Sequence, residues 1–322
     1  MIPETMKAVV LTVPTNAQNV QLTEYPVPRV RPGWVLVKVK AFGMNHSEKI
    51  LRLSEINADD IEKPIIPGIE CAGEIADASD SSFQKGQKVV ALMGGMGRSF
   101  HGSYAQYALL PTHHVFSVST DLNWQEIAAV PETYFTAWGS LFECLNLQPE
   151  DTLLIRGATC ALGYAAIQIA KAWGCKVIAT THRERKLPLL KEADRAIVDT
   201  GILAGKVKGA TKALELVGAK TLYDTLNCME KGAIVCNTGV LGGVYRWNGF
   251  DPIKSIPNGV YLTGFYSNWP TQERIDEIFN FLTVHKKKPC LGKCFDFSCI
   301  DKACEALDSG MINGKIVVTV SK

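Results

Sequence analysis

The 322-residue chain has no stretch approaching the roughly 18 consecutive apolar residues of a spanning helix, and its start, MIPETMKAVVLTV, lacks an apolar core of signal-peptide length. A cytoplasmic protein with no membrane partner is expected. Charge of one sign is also lacking. The 34 Lys and Arg against 32 Asp and Glu leave +2, and the basic residues are dispersed apart from Lys286-Lys287-Lys288, which reads as a solvated helix end. No nucleic-acid partner is expected. Internal repeats and low-complexity segments are missing too. Paired cysteines of the structural zinc type are absent: Cys290, Cys294, Cys299 and Cys304 crowd one stretch, but structural sites bring ligands roughly two to four residues apart on tight turns. These spacings widen, and Cys304 sits in a helical-looking run. All ten cysteines read as free thiols, because a chain without an export signal meets a reducing compartment.

What is present is an ordinary globular composition, 47% hydrophobic and 20% charged, in a chain long enough for two domains. The first 120 or so residues read as strands and turns, at MKAVVLT, WVLVKVKAFG, ECAGEIAD, QKVVALM and SYAQYALLP. From Pro149 strands alternate with helices. DTLLIR is an apolar strand, Leu162, Ala166, Ile169, Ala170 and Trp173 recur at helical spacing, and KVIAT is the next strand. Further strands at AIVDT, ALELV, AIVCNTG and VYLTGF complete a doubly wound parallel sheet. After Tyr266 come a helix, TQERIDEIFNFLTVHKK, a short helix near 301–309 and a last strand, GKIVVTV, which needs a host sheet. The β-rich start is that host, so one domain is inserted into the other. The expected division is 1–121 with 267–322, and 122–266.

The loop GATCALG, from Gly157 to Gly163, joins the first strand of the alternating region to its helix. Small residues let a backbone approach a pyrophosphate, and the helix start offers free N–H groups. Only two glycines of the three-glycine dinucleotide fingerprint remain, with Cys160 near the middle. The second strand ends Thr180-Thr181-His182-Arg183, without the carboxylate that bonds the ribose 2′-hydroxyl of NAD. Arg183 and Lys186 are instead placed for a 2′-phosphate, so NADPH is the expected cofactor.

In this order MKAVVLT, VKVKAFGMNHSE, PIIPGIECAGEI, PETYFTAWGSLF, LLIRGATCALGYAAIQIAKAWGCKVIATT and KGAIVCNTGVLGG resemble the medium-chain dehydrogenase/reductase superfamily, in its zinc-independent, quinone oxidoreductase-like branch. The resemblance spans essentially the whole chain. It implies an α/β fold, a Rossmann doubly wound parallel sheet inserted into a GroES-like, mostly β catalytic domain, and a homodimer formed through VYLTGF. Zinc-bearing relatives carry Cys and His where this chain has Asn45 and Ile69, with only Glu70 kept, so no metal is expected. By the same resemblance Asn45 and Thr136 lie beside the nicotinamide, and Thr159, Cys160, Ala161 and Leu162 beside the pyrophosphate. Arg183 and Lys186 take the 2′-phosphate, while Val217, Gly218, Gly239, Val240, Phe265 and Tyr266 border the cofactor. Cys160 and the shortened run between Asp199 and Ala213 depart from the pattern.

Without a metal, a conjugated acceptor suits hydride transfer, because it spreads the negative charge that an isolated ketone would concentrate. A quinone is the expected substrate, with an enone or enoyl reductase acting on C=C as one alternative and an NADPH-binding protein of little turnover as the other. Candidate catalytic residues are Asn45, His46 and Tyr134. His46 also reads as an orienting hydrogen-bonder and Tyr134 as packing at a helix start. Met96, Arg98, Phe100 and Trp247 either shape the pocket or are ordinary loop side chains.

Overall fold

The computed structural model describes residues 1–321, which divide into two compact units, 1–135 with 268–321 and 136–267. The sequence placed the first boundary at 121/122. The helices that follow residue 122 bury Ile127, Ala128, Ala129 and Val130 within the first unit, which carries that unit forward to residue 135.

In chain order the first unit opens with β1 (Thr5–Val9), β2 (Leu22–Pro26), β3 (Trp34–Met44) and helix α1 (His46–Leu53). Strands β4 (Glu70–Asp77), β5 (Lys88–Leu92), β6 (Tyr107–Pro111) and β7 (Val115–Ser117) follow, then α2 (Trp124–Ala128) and α3 (Pro131–Trp138). β2 and β7 had no clear alternation and were not foreseen. β1 and β2 pair as a separate antiparallel ribbon, and β3 pairs antiparallel with both β4 and β6. β3 is the hub of this unit because its β-branched and aromatic residues Val35, Val37, Val39 and Phe42 are almost fully buried.

The second unit holds β8 (Thr152–Arg156), α4 (Ala161–Trp173), β9 (Lys176–Thr181), β10 (Arg195–Val198) and β11 (Lys212–Glu215). It continues with α5 (Leu222–Asn227), β12 (Ile234–Asn237), α6 (Pro252–Ser255) and β13 (Tyr261–Gly264). The six strands are all parallel and run in the order β10-β9-β8-β11-β12-β13. That order reverses between β8 and β11, the switch point at whose strand ends such sheets bind dinucleotides.

Back in the first unit, α7 (Gln272–Val284) is followed by β14 (Leu291–Asp296), α8 (Ile300–Ser309) and β15 (Lys315–Thr319). β15 pairs antiparallel with β3, which confirms the return of the chain to its first sheet. β14, parallel to β15, was not foreseen because it is a mostly exposed edge strand without apolar alternation. No disulfide joins any of the ten cysteines; Cys304 is buried, and Cys294 and Cys299 are exposed.

Candidate active site

At the switch point the β8 strand turns into α4 through Gly157, whose φ of +83° favours glycine. Gly163 lets α4 close onto the loop, since a Cβ there would lie 2.3 Å from the Ala158 carbonyl oxygen. This is the helix–strand approach that the last glycine of a dinucleotide loop provides. Cys160 departs from the pattern in an informative way. It is the N-cap of α4, and its Sγ accepts from the Gly163 N–H at 3.4 Å. Burial pushes the thiol up, and the Gly163 amide opposes this only in part, so the neutral thiol takes a donor that a glycine would have left open. Thr159, also buried, stands 3.5 Å from Thr181 through their hydroxyls.

The neighbouring strand ends line the same crevice of the second unit. A Cβ on Gly157 would meet Val217 and Leu241 side chains at 3.1 and 3.5 Å, and one on Gly218 would lie 2.6 Å from the Gly239 carbonyl. Val217 and Gly218 are folded into place by buried Glu215, whose Oε1 accepts both of their amides at 2.7 and 3.0 Å. Val240 follows Gly239 in this bend and is partly exposed. Phe265 lies against Gly139, while Tyr266 is largely exposed and Thr136 is buried at the unit's first position.

Beyond β9 the basic residues lie on a 3-10 helix at Glu184–Leu190 that contains Pro188, with Arg183 as its N-cap. Arg183 Nε donates to His182 at 2.9 Å. Burial, and then Arg183 and Arg185, pull the Lys186 ammonium below its usual range. Burial, Arg183 and Lys186 do the same to His182. Lys186 lies near enough to Cys160, the N-cap of α4, for its charge to oppose the rise of that thiol. Cations that suppress one another's charge beside a helix N-terminus form a site that an anion relieves. The residues present therefore fit the phosphates of a nicotinamide dinucleotide.

In the first unit Asn45 is the N-cap of α1 and the partly exposed member of a buried polar network. Its Nδ2 donates to Glu70 Oε1 at 2.8 Å, and its Oδ1 accepts from Lys315 Nζ at 2.6 Å. Lys315 Nζ also lies 2.5 Å from Glu70 Oε1, with both side chains at most 3% exposed. The second Glu70 oxygen accepts the Glu132 amide at 2.8 Å. Glu48 receives the amides of Asn45 and Ile69, yet burial raises its carboxyl to about 7 against the opposing Lys315 charge. Sequence reasoning missed Lys315; its only signal was a lysine heading an otherwise apolar strand.

His46 is half-buried at the start of α1, its imidazole held below the usual range by burial and then by Lys49. Tyr134 is 1% exposed inside α3, as a packing residue would be. The suggested pocket residues of the glycine-bearing loop are otherwise engaged. Met96 is in the core, Arg98 pairs with Glu55 at 2.7 Å, and Phe100 packs edge-on against Trp34. Trp247 stacks on Phe250 with ring centroids 4.1 Å apart.

Residues 31–120 match the family described as alcohol dehydrogenase GroES-like domain, and residues 161–283 match the one described as zinc-binding dehydrogenase. The chain is 32% identical over 312 residues to quinone oxidoreductase of Homo sapiens, covering 92% of each. It is 28% identical over 246 residues to a zinc-type alcohol dehydrogenase-like protein of Schizosaccharomyces pombe, covering 67% and 70%. Among solved structures, AibC superposes with a TM-score of 0.89 at 28% identity over 99% of this chain and 97% of its own. An NAD-dependent alcohol dehydrogenase gives 0.87 at 25% identity over 98% and 100%. A switch-point crevice on a six-stranded parallel sheet, carried with a GroES-like unit, defines an oxidoreductase that uses a nicotinamide cofactor and a small-molecule substrate. The chain belongs to the medium-chain dehydrogenase/reductase superfamily, in the quinone oxidoreductase-like group.

Proposed function

We propose that the protein is an NADPH-dependent, zinc-independent reductase of conjugated carbonyl acceptors, quinones foremost. The observation that carries the cofactor assignment is the run of Arg183, Arg185 and buried Lys186 just beyond the end of β9, where the carboxylate of an NAD site is missing, with Lys186 near Cys160 at the start of α4. A guanidinium fork and an ammonium suit the 2′-phosphate that distinguishes NADPH from NADH.

Zinc independence is supported by the chemistry of the donor set. Asn45 and Ile69 replace a thiolate and an imidazole, and the Lys315 ammonium is already bonded to both Asn45 and Glu70. Bound NADPH supplies a hydride, and a quinone takes that hydride with one solvent proton to give the hydroquinone and NADP⁺. The protein's part is to orient and to stabilise. Glu215 shapes the Val217-Gly218 bend beside the dinucleotide, and Asn45 presents an amide N–H to the oxygen on which negative charge grows. Asn45 is preferred over Tyr134 as donor because it is partly exposed whereas Tyr134 is buried.

The edge strand β13, paired only with β12 and carrying Tyr261 at 61% exposure, supports a homodimer formed along it. Ten cysteines without a disulfide fit a reducing compartment such as the cytoplasm. Among the described residues no helix is long and apolar enough to cross a membrane.

A screen of NADPH oxidation across quinones and enones, with product analysis, tests the reading. Hydroquinone formation is expected. Saturated ketones alone would move the substrate class to C=C reduction, and tight NADPH binding without turnover on any acceptor would replace the enzyme by a binding protein.

A further inference from the structure

Asn45, Lys315 and Glu70 form a closed triangle of polar side chains. Lys315 Nζ donates to Asn45 Oδ1 at 2.6 Å, Asn45 Nδ2 donates to Glu70 Oε1 at 2.8 Å, and the ammonium and carboxylate meet at 2.5 Å. Charge fixes the direction of the amide. Reversing it would set the NH₂ group against an ammonium and the carbonyl against a carboxylate, both repulsive in a buried site. The triangle also needs Gly43, where a Cβ would stand 2.4 Å from Lys315 Cε, 2.5 Å from Glu70 Oε1 and 2.8 Å from the Ala128 carbonyl.

Asn45 Nδ2 carries two hydrogens, of which Glu70 takes one. With Lys315 and Glu70 buried and Asn45 partly exposed, the second hydrogen is the donor that the network can offer outward. A cation on Oδ1 draws electron density from the amide nitrogen and so strengthens that donor. We propose that Lys315 is the positioning residue of the reaction: it locks and polarises the Asn45 amide, whose second N–H serves the acceptor oxygen during hydride transfer. This rests on the reading of the protein as a reductase in which Asn45 is the donor.

Lys315 acting through Asn45 makes the two residues non-additive. In NADPH-dependent quinone reduction, Lys315→Met and Asn45→Ala are each expected to lower kcat by about tenfold or more. The double variant should be no slower than Asn45→Ala alone. Losses that multiply, or an unchanged kcat in Lys315→Met, would overturn the proposal. Because Lys315→Met leaves Glu70 buried and unpaired, a variant that fails to fold is replaced by Glu70→Gln/Lys315→Met, which removes both charges and is compared with and without Asn45→Ala.

A readout without turnover separates this proposal from the functional reading. In the cofactor-free protein, the Asn45 side-chain amide resonances, assigned by their loss in Asn45→Ala, should move upfield in Lys315→Met or in the neutral pair. Unmoved resonances would overturn the positioning role even in an active enzyme. Moved resonances in a protein that oxidises no NADPH would sink the reductase reading while leaving the lock on Asn45 standing.

Discussion

Each unit buries a cation at a strand end, and the two are satisfied to different degrees. Arg156, at the end of β8, is completely enclosed and spends its guanidinium on Asp199, Asp224, Thr225 Oγ1 and the carbonyls of Thr221 and Gly201 at 2.7–3.1 Å. It ties the shortened loop after β10 to α5 beneath the cofactor crevice. Lys315, at the start of β15, instead holds an asparagine that keeps one donor to spare. A saturated network is an internal staple, whereas one with a residual donor at its partly exposed end is equipped to meet a ligand. The same cost of burying charge thus supports stability in one unit and chemistry in the other.

The largest expected effect breaks the saturated side of that comparison. Arg156→Met leaves Asp199 and Asp224 facing one another without a counter-ion and should destabilise the protein by about 3–5 kcal/mol. Urea unfolding followed by circular dichroism measures it; a loss below about 1 kcal/mol would show that the staple is dispensable.

A smaller effect sharpens the other side. Glu48 is raised to about 7 by burial, above its unfolded value of 4.5, so it favours the folded state when protonated. Its contribution is complete below pH 4.5 and is lost as pH rises through about 7. Between pH 8 and 5.5 the wild type should gain on the order of 2 kcal/mol relative to Glu48→Gln, whose amide does not titrate. Parallel stability profiles for the two proteins over this range would contradict the raised carboxyl.

Much of this was legible in the chain. The alternation from β8 to β13, the inserted topology and the basic end of β9 follow from periodicity and from the missing carboxylate after Thr181. The charged staples were not legible, because Arg156 ends the apolar DTLLIR, Glu215 interrupts ALELV and Lys315 heads KIVV, while the carboxylates of Arg156 lie 43 and 68 positions away, Asn45 lies 270 from Lys315, and Glu215 bonds residues 2 to 10 positions on through a bend and α5. Pattern reading assigns the strand and passes over the charge. Cys160 departs from the glycine pattern, and its thiol caps α4, a role that no spacing in the loop signals. Strands β2, β7 and β14 escaped because edge positions relax the two-residue alternation.

The claim on which the rest depends is that Arg183 and Lys186 hold a 2′-phosphate. Calorimetric titration of NADPH and NADH into wild type and Arg183→Ala/Lys186→Ala tests it directly. The wild type should bind NADPH at least about tenfold more tightly, a difference of about 1.4 kcal/mol, and the double variant should lose that preference with its NADH affinity unchanged. Equal affinities in the wild type, or an undiminished preference in the variant, would contradict it.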